Sequence, residues 1–366
     1  MFSKLKRKIF KYIFIPKTLL VGAFIILLLY FAQKTLLPFY KFAKQNSLNY
    51  ETLSAIIFNN TNPLKKSSDR TNILIMGRGG GNHEGPFLTD SIIFLSLSLK
   101  SKDAVLVSIP RDVYSPLLKD RINSAYERGE IKKKGGGLIL SKSIIEEIVG
   151  LPIHYAWIID FSGFKKIIDL VGGIDVDIDR SFDDYEYPIE GKENADCGKD
   201  DPDFKCRYEH ISFKKGMEHM DGERALKFVR SRHAEGQEGT DFARSQRQQK
   251  VMLALKEKLL SKDIQKISNL KSLYQGFNEA TDTDMKLGDT LVLARFLLDF
   301  STDNIRKPVL DWGDEEQKRK GFFVNPPLQN YDGQWVLIPS EGEGNYSKIH
   351  KYIACWIENP KCEMTP

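Results

Sequence analysis

The chain has 366 residues, 41% of them hydrophobic and 28% charged, with a formal net charge of +5. That mixture excludes wholesale disorder, and the length suits one large domain or two small ones, either able to bury a core. The charge is too small for a surface that coats polyanions, but it is unevenly spread: residues 181–209 carry ten acidic side chains against four basic ones, and residues 224–250 carry seven Lys/Arg. A local basic cluster in a near-balanced chain points to a compact anion site.

Six cations (Lys4, Lys6, Arg7, Lys8, Lys11 and Lys17) precede a run of sixteen uncharged residues from Thr18 to Gln33, which Lys34 closes. Sixteen residues make roughly 24 Å of helix, short of an apolar bilayer core of about 30 Å. Lys17 and Lys34 reaching for the headgroups would let the span extend to Phe39 and Tyr40. The expected organisation is a cytoplasmic basic tail (1–17), a single transmembrane anchor (18–40), a polar juxtamembrane linker (41–70), and all later residues outside the cell membrane. Phe31-Ala32-Gln33-Lys34 is a poor signal-peptidase site, and a buried core helix rarely begins behind six cations. Cysteine usage agrees with export, because Cys197/Cys206 and Cys355/Cys362 are spaced for short-loop disulfides. Four cysteines allow three connectivities. Pairing of neighbours is the expectation, with free thiols and a metal site as alternatives.

Beyond the linker, Thr71–Met76 reads as a buried strand that enters a glycine-rich loop, Gly77 to Gly85. Strands follow at 91–99 and 104–109, a helix at 141–149, a strand at 155–159, a helix at 163–171 and a strand at 174–178. The acidic, cysteine-containing stretch 181–209 reads as a surface insertion. Helices are expected at 221–229, 241–260 and 290–300, with a late strand at 334–339. Strands interleaved with helices predict a three-layer α/β/α sandwich around a mixed central sheet, spanning 71–309. Residues 310–366 form a C-terminal extension, an appendage or the sheet's last edge.

Three clusters carry chemistry. Leu88-Thr89-Asp90-Ser91 follows the glycine loop, where backbone N–H groups approach an anion and a carboxylate can hold a divalent cation against phosphate oxygens. A glycine hairpin capped by Asp is the bland reading, and no Lys-Ser/Thr follows the glycines as in a Walker A loop. Ile109-Pro110-Arg111-Asp112 sets an arginine fork at a strand end, suited to phosphate, or else an Arg111–Asp112 pair closing a turn; Arg121-Ile122-Asn123 comes soon after. The third cluster is Phe228-Val229-Arg230-Ser231-Arg232-His233 with Asp241-Phe242-Ala243-Arg244-Ser245-Gln246-Arg247-Gln248-Gln249. In a helix starting near Thr240, Asp241, Arg244 and Gln248 share a face that continues as Met252, Leu255 and Leu259. One stripe is therefore polar at the helix N-terminus, where anions are favoured, and apolar beyond. His233 reads as structural or solvent-exposed. No zincin histidine pair or Gly-x-Ser-x-Gly elbow is present.

Taken in order, these segments resemble the LytR-CpsA-Psr family. The matching elements are the anchor, Asn72–Gly77, Leu88-Thr89-Asp90-Ser91, Ser108-Ile109-Pro110-Arg111-Asp112, Arg121–Tyr126, Leu170–Val176, Leu226–Arg232 and Gly239–Gln249. They cover about residues 70–300. The resemblance implies an α/β/α fold with a long apolar pocket for a polyprenyl tail and an arginine-rich mouth for its pyrophosphate. It also implies transfer of an anionic glycopolymer (teichoic acid or capsule type) from a polyprenyl-pyrophosphate carrier to a sugar hydroxyl of peptidoglycan or an equivalent acceptor, assisted by Mg²⁺ or Mn²⁺. By motif match, Arg111, Arg121, Arg230, Arg232, Arg244, Arg247 and Gln248 hold the pyrophosphate. Asp90 ligates the metal, and Asp241 orients the arginines or deprotonates the acceptor. The chemistry is coherent, because phosphoryl transfer needs positioning and charge neutralisation more than covalent help.

The family's second metal-site carboxylate falls at Gly79, and its arginine before the Thr-Asp pair falls at Leu88. Glu84 or His83 stands nearest as a replacement ligand. A non-catalytic binder of polyprenyl phosphates or anionic glycans and a pyrophosphatase using the same site are the competing readings. Contact with nucleic acid is not expected, since the chain lacks a helix-turn-helix pattern and a broad basic face.

Overall fold

The computed structural model describes residues 22, 26, 30, 33–34, 37–46, 48–80, 85–192, 194–199, 201–261, 276–313 and 320–365. They fall into two compact units, one of residues up to 64 with 286–296, the other of 65–285 with 297–366. Among the described residues no helix is long and apolar enough to cross a membrane. Most of the expected 18–40 anchor lies outside the described residues.

The first unit shows the expected 41–70 linker to be helical in part. Helices Leu37–Gln45 and Tyr50–Phe58 lie in this unit. Asn49 caps the second by accepting from the Thr52 N–H at 2.8 Å, which satisfies one of the open donors of the first turn.

The second unit is built on a mixed six-stranded sheet. Its strands are β1 (Arg70–Arg78), β2 (Thr89–Ser98), β3 (Ala104–Ser108), β6 (Tyr155–Asp160), β11 (Thr281–Thr283) and β12 (Ile305–Arg306), in the order β11-β6-β1-β2-β3-β12. Two short strands after β3, β4 (Tyr114–Ser115) and β5 (Asp120–Arg121), pair as a hairpin. Four more, β7 (Ile174–Ile178), β8 (Phe182–Pro188), β9 (Tyr208–Phe213) and β10 (Gly216–Met220), form two ribbons, β7 with β10 and β8 with β9. β1 runs parallel to β6 and antiparallel to β2, so the C-terminal ends of β1 and β6 meet the N-terminal start of β2.

Side chains alternate across the sheet, and its two faces are filled differently. One face sends Leu74, Met76, Ile92, Phe94, Val105, Val107, Ala156 and Ile158 into a core with Ile144, Ile145 and Ile148 of the Gly136–Val149 helix. Ile349, Tyr352 and Ile353 of the Ser347–Glu358 helix join that core, as do Phe322, Phe323 and Leu337. Residues 310–366 are thus neither appendage nor sheet edge. Their apolar residues close one layer, and β11 and β12 are the edges. The other face is covered by helices Phe161–Leu170, Gly222–Arg230 and Asp241–Leu260, which pack with the ribbons into a second core.

The stretch 181–209 is likewise more than a surface insertion. Phe182 and Tyr187 are buried in that second core, and Phe182 stacks on Phe213 at 5.0 Å. Disulfides join Cys197 to Cys206 and Cys355 to Cys362. Of the late elements, the helix runs Leu287–Leu298 and the late strand shrinks to Ile338–Pro339.

Candidate functional site

The second face of the sheet is not fully packed. Ile75, Ile93, Trp157 and Ile159 look into a cavity of about 520 Å³, walled opposite by Phe164, Ile167, Leu226, Val229, Val251, Met252, Leu255 and Phe277. The cavity is polar at one end only, and the register shows why. Ile75 pairs with Ile93 and Trp157 in mid-sheet, Gly77 with Ser91 and Ile159 nearer the strand ends, and Arg78 with Asp160 at the end itself. Asp90, Ser91 and Asp160 therefore stand at one edge of an apolar floor. The Asp241–Leu260 helix repeats the gradient above them. Its cavity-lining residues run Arg244, Gln248, Val251, Met252, Leu255 from the N-terminus inward. Thr240 caps this helix by accepting from the Ala243 N–H at 3.2 Å.

At the polar end Gln248 donates from Nε2 to the Ser91 hydroxyl at 2.8 Å, joining helix to sheet. Arg111 bonds the Asp90 carboxylate and also reaches Asp112 at 3.4 Å; Asp112 in turn accepts from Arg121 at 3.1 Å. Burial disfavours charge on Arg111, but Asp112 and Asp90 outweigh it and hold its pKa above the ordinary arginine value. Asn123, buried, donates its N–H to the Arg111 carbonyl at 3.3 Å and accepts from the Thr89 hydroxyl at 3.2 Å, locking this segment to β2. Arg111 and Arg121 thus stand behind Asp90 and do not line the cavity.

Arg230 and Arg232 line the same end, together with His233 and Glu186. The Arg230 guanidinium lies over the Phe161 ring at 4.1 Å and donates to the Tyr187 hydroxyl at 3.3 Å. Burial pushes that hydroxyl's pKa up to about 12, so it stays neutral. His233 is 3.6 Å from Glu186.

Arg247 is a correction. It is 3% exposed and lies outside the cavity lining. Its Nε donates to the Phe228 carbonyl at 2.9 Å, one Nη to the carbonyl and carboxylate of Glu238 at 2.8 and 3.0 Å, and the other Nη to the Ser231 carbonyl at 2.7 Å. A fork so fully engaged is a strut that ties two helices to the arginine turn between them. Burial pulls its pKa below the ordinary arginine value despite Glu238. Glu84 and His83 lie outside the described residues, as does the side chain of Asp241.

Sequence reasoning missed Asp184. Fully buried on β8, its carboxylate accepts from the Ser231 hydroxyl at 2.6 Å and from the N–H groups of Arg232 and His233 at 3.1 and 3.2 Å through Oδ2, and from the Glu186 N–H at 3.0 Å through Oδ1. This internal anion shapes the turn that presents Arg230 and Arg232. The available signal was a carboxylate in phase with Phe182 on the inward side of a strand. Arg78 was also missed; it pairs with Asp160 at 3.6 Å and lies between the Phe87 and Tyr126 rings. Asp160 is otherwise spent as a cap, accepting from the Gly163 N–H at 2.8 Å. Gly80, at φ +68°, must be glycine here, since a Cβ would come within 2.6 Å of the Asp160 Cβ.

For a divalent metal the donor set is sparse. Asp90 has one oxygen engaged by Arg111, and among the described residues no group of three clustered carboxylate, His or Cys ligands includes it. The one such group, Cys197, Asp201 and Cys206, contains a disulfide and offers no thiolate. A single carboxylate does suit Mg²⁺ held jointly with substrate phosphates.

The fold and site together define an α/β/α domain with an apolar cavity and arginines at one end, a shape with room for an apolar chain and charge for an anionic group. Residues 37–326 match the LytR_cpsA_psr family, and the chain belongs to it. Two curated relatives are polyisoprenyl-teichoic acid–peptidoglycan teichoic acid transferases. TagV of Bacillus subtilis (strain 168) is 30% identical over 223 residues, covering 59% of this chain and 50% of the relative. TagU of Bacillus cereus is 32% identical over 196 residues, 52% and 53% of the two chains. The chain thus spans about half the length of the curated relatives it matches. The crystal structure of B. subtilis TagV superposes with a TM-score of 0.54 at 25% identity, covering 82% of this chain and all of that one.

Proposed function

We propose that this chain transfers an anionic glycopolymer from a polyprenyl-pyrophosphate carrier to a sugar hydroxyl of peptidoglycan or a similar acceptor. The observation that carries the reading is the one-ended polarity of the cavity. An isoprenoid tail fits between Ile75, Trp157 and Leu255, and its pyrophosphate meets Arg230, Arg232 and Arg244. The transferase names of the curated relatives support the same reading.

In the proposed reaction the acceptor hydroxyl oxygen attacks the phosphorus that bears the glycopolymer. A new P–O bond forms, the bond to the bridging oxygen breaks, and polyprenyl monophosphate leaves. The three arginines neutralise charge on the phosphates, and the Arg111–Asp90 pair fixes the edge of the site beside them. Asp241, in the first turn of its helix, is assigned the acceptor's proton. Mg²⁺ or Mn²⁺, held by Asp90 and phosphate oxygens, would supply further charge neutralisation. Residues 18–40 are proposed to anchor the chain in the cell membrane, with the basic N-terminus cytoplasmic and the cavity-bearing unit outside.

The test is mass spectrometry of lipid co-purified with the full chain, paired with a transfer assay. Polyprenyl phosphate or pyrophosphate should be recovered from the wild type and from Asp90→Asn and Arg111→Lys, while both variants lose transfer by about 10²-fold, the scale of a displaced reacting geometry. Absence of any isoprenoid would overturn the reading, and full transfer by Asp90→Asn would remove the role assigned to that carboxylate. Phosphate release without polymer transfer would make the site a pyrophosphatase.

A further inference from the structure

The Tyr50–Phe58 helix is turned inside out. Tyr50 is 85% exposed, Leu53 52%, Ile57 70% and Phe58 74%, whereas Thr52 and Ala55 are the residues buried. At about 100° per residue, Tyr50, Leu53 and Ile57 fall on one stripe with Phe58 beside it, and Thr52 and Ala55 lie opposite. Glu51 is the one charged residue of the helix and sits at the edge of that stripe. Scattered exposed apolar residues need no cause, but a whole helix face does. The helix is held in place, capped by Asn49 at its start and by Asn59 at its end, so the face is a fixed feature of its unit.

We infer that this face lies on the outer surface of the bilayer, with Tyr50, Leu53 and Ile57 in the boundary between headgroups and acyl chains. The inference rests on the proposed anchor at 18–40, which sets the distance. The nine-residue Leu37–Gln45 helix spans about 14 Å, and residues 46–49 add at most about 14 Å. Tyr50 therefore stays within roughly 30 Å of the point where the anchor leaves the membrane. Lys41 and Lys44, both exposed on the intervening helix, suit anionic headgroups, and Tyr40 is exposed beside them. Aromatic and aliphatic residues on one side with little charge among them are what an interfacial helix presents to lipid.

Nitroxide labels at Leu53→Cys, Ile57→Cys, Glu51→Cys and Ile26→Cys in the full chain, in vesicles of phosphatidylglycerol and phosphatidylethanolamine, test this. The four native cysteines are disulfide-bonded and do not compete for the reagent. Labels at 53 and 57 should collide with oxygen and be shielded from a water-soluble nickel chelate, while the label at 51 should show more nickel contact. Leu53→Ser/Ile57→Ser, labelled instead at Tyr50→Cys, should lose that membrane protection of the helix with no change in Tm in detergent. Nickel-accessible labels at 53 and 57 with a lipid-buried label at 26 would overturn the inference alone. A water-exposed label at 26 would overturn the anchor and this inference with it. Shielding of 53 and 57 from both reagents, or a large fall in Tm, would place protein on the face and overturn the inference.

Discussion

The Asp184 carboxylate and the Ser231 hydroxyl meet at 2.6 Å although 47 positions separate them in the chain. The same carboxylate holds the Arg232 and His233 N–H groups, so one buried anion sets the turn between Arg230 and the arginines that follow. Asp184→Ala leaves a hydroxyl and backbone donors without partners and is expected to cost about 2–4 kcal/mol of stability. Asp184→Asn keeps the shape but not the charge, and should retain most of the fold while weakening polyprenyl-pyrophosphate binding by roughly tenfold, about 1.4 kcal/mol. Thermal unfolding and calorimetric titration read the two effects separately. Equal Tm and equal affinity in both variants would remove the positioning role.

Two arginines three residues apart on one helix should behave oppositely. Arg247 spends its fork on the carbonyls of Phe228, Ser231 and Glu238, whereas Arg244 lines the cavity. Arg247→Ala is expected to lose about 3–5 kcal/mol, because it strands buried carbonyls and the Glu238 carboxylate. Arg244→Ala should shift stability by no more than about 1 kcal/mol but lower transfer by about 10²-fold. Urea unfolding beside a transfer assay checks the pair, and a reversed pattern would make Arg244 the strut and Arg247 the phosphate ligand.

This contrast marks where the sequence was legible. The i, i+4, i+8 stripe of Arg244, Gln248 and Met252 lies on the cavity wall, since helical geometry decides which residues share a face. The strands Arg70–Arg78, Thr89–Ser98 and Ala104–Ser108 announced themselves as short apolar runs rich in β-branched and bulky residues, as strands buried on both faces do. Arg247 was misplaced because spacing says which face a residue takes, not what it meets there, and its partners come from helix ends 9 to 19 residues away. The β8–β9 ribbon was hidden by composition: ten acidic residues made 181–209 look like surface, while the inward phase of Phe182, Asp184 and Ile211 carried the structure. The Tyr50–Phe58 helix was missed because Tyr50, Leu53, Ile57 and Phe58 face outward, against the pattern by which buried helices are read.

Filling the cavity should separate lipid binding from stability. Met252 stands on the apolar stretch of the wall between Gln248 and Leu255. Met252→Trp adds an indole to a space of about 520 Å³ without removing a packed group. Co-purified isoprenoid should fall well below the wild-type amount, with Tm unchanged or raised by a few degrees, as cavity-filling substitutions give about 0.5–2 kcal/mol. A normal lipid load in this variant would mean that the tail lies elsewhere.

Acid sensitivity of the sheet should begin at His154. Its Nδ1 accepts the Asn72 N–H at 2.9 Å, and its Nε2 is 3.0 Å from the Ser67 hydroxyl. Acceptance at Nδ1 requires a bare nitrogen, and burial, which outweighs the pull of Glu146, holds the pKa below the ordinary value of 6.5. The folded-state pKa lies below the unfolded one, so the contribution to stability is present above about pH 6.5 and is lost as pH falls through the folded value. Tm should therefore drop across that interval as the imidazole gains a proton and the Asn72 N–H at the start of β1 loses its acceptor. His154→Gln, whose amide can accept but does not titrate there, should lower Tm at neutral pH and flatten its slope below pH 6.5. An unchanged slope would assign the acid sensitivity to carboxylates, which titrate about two units lower.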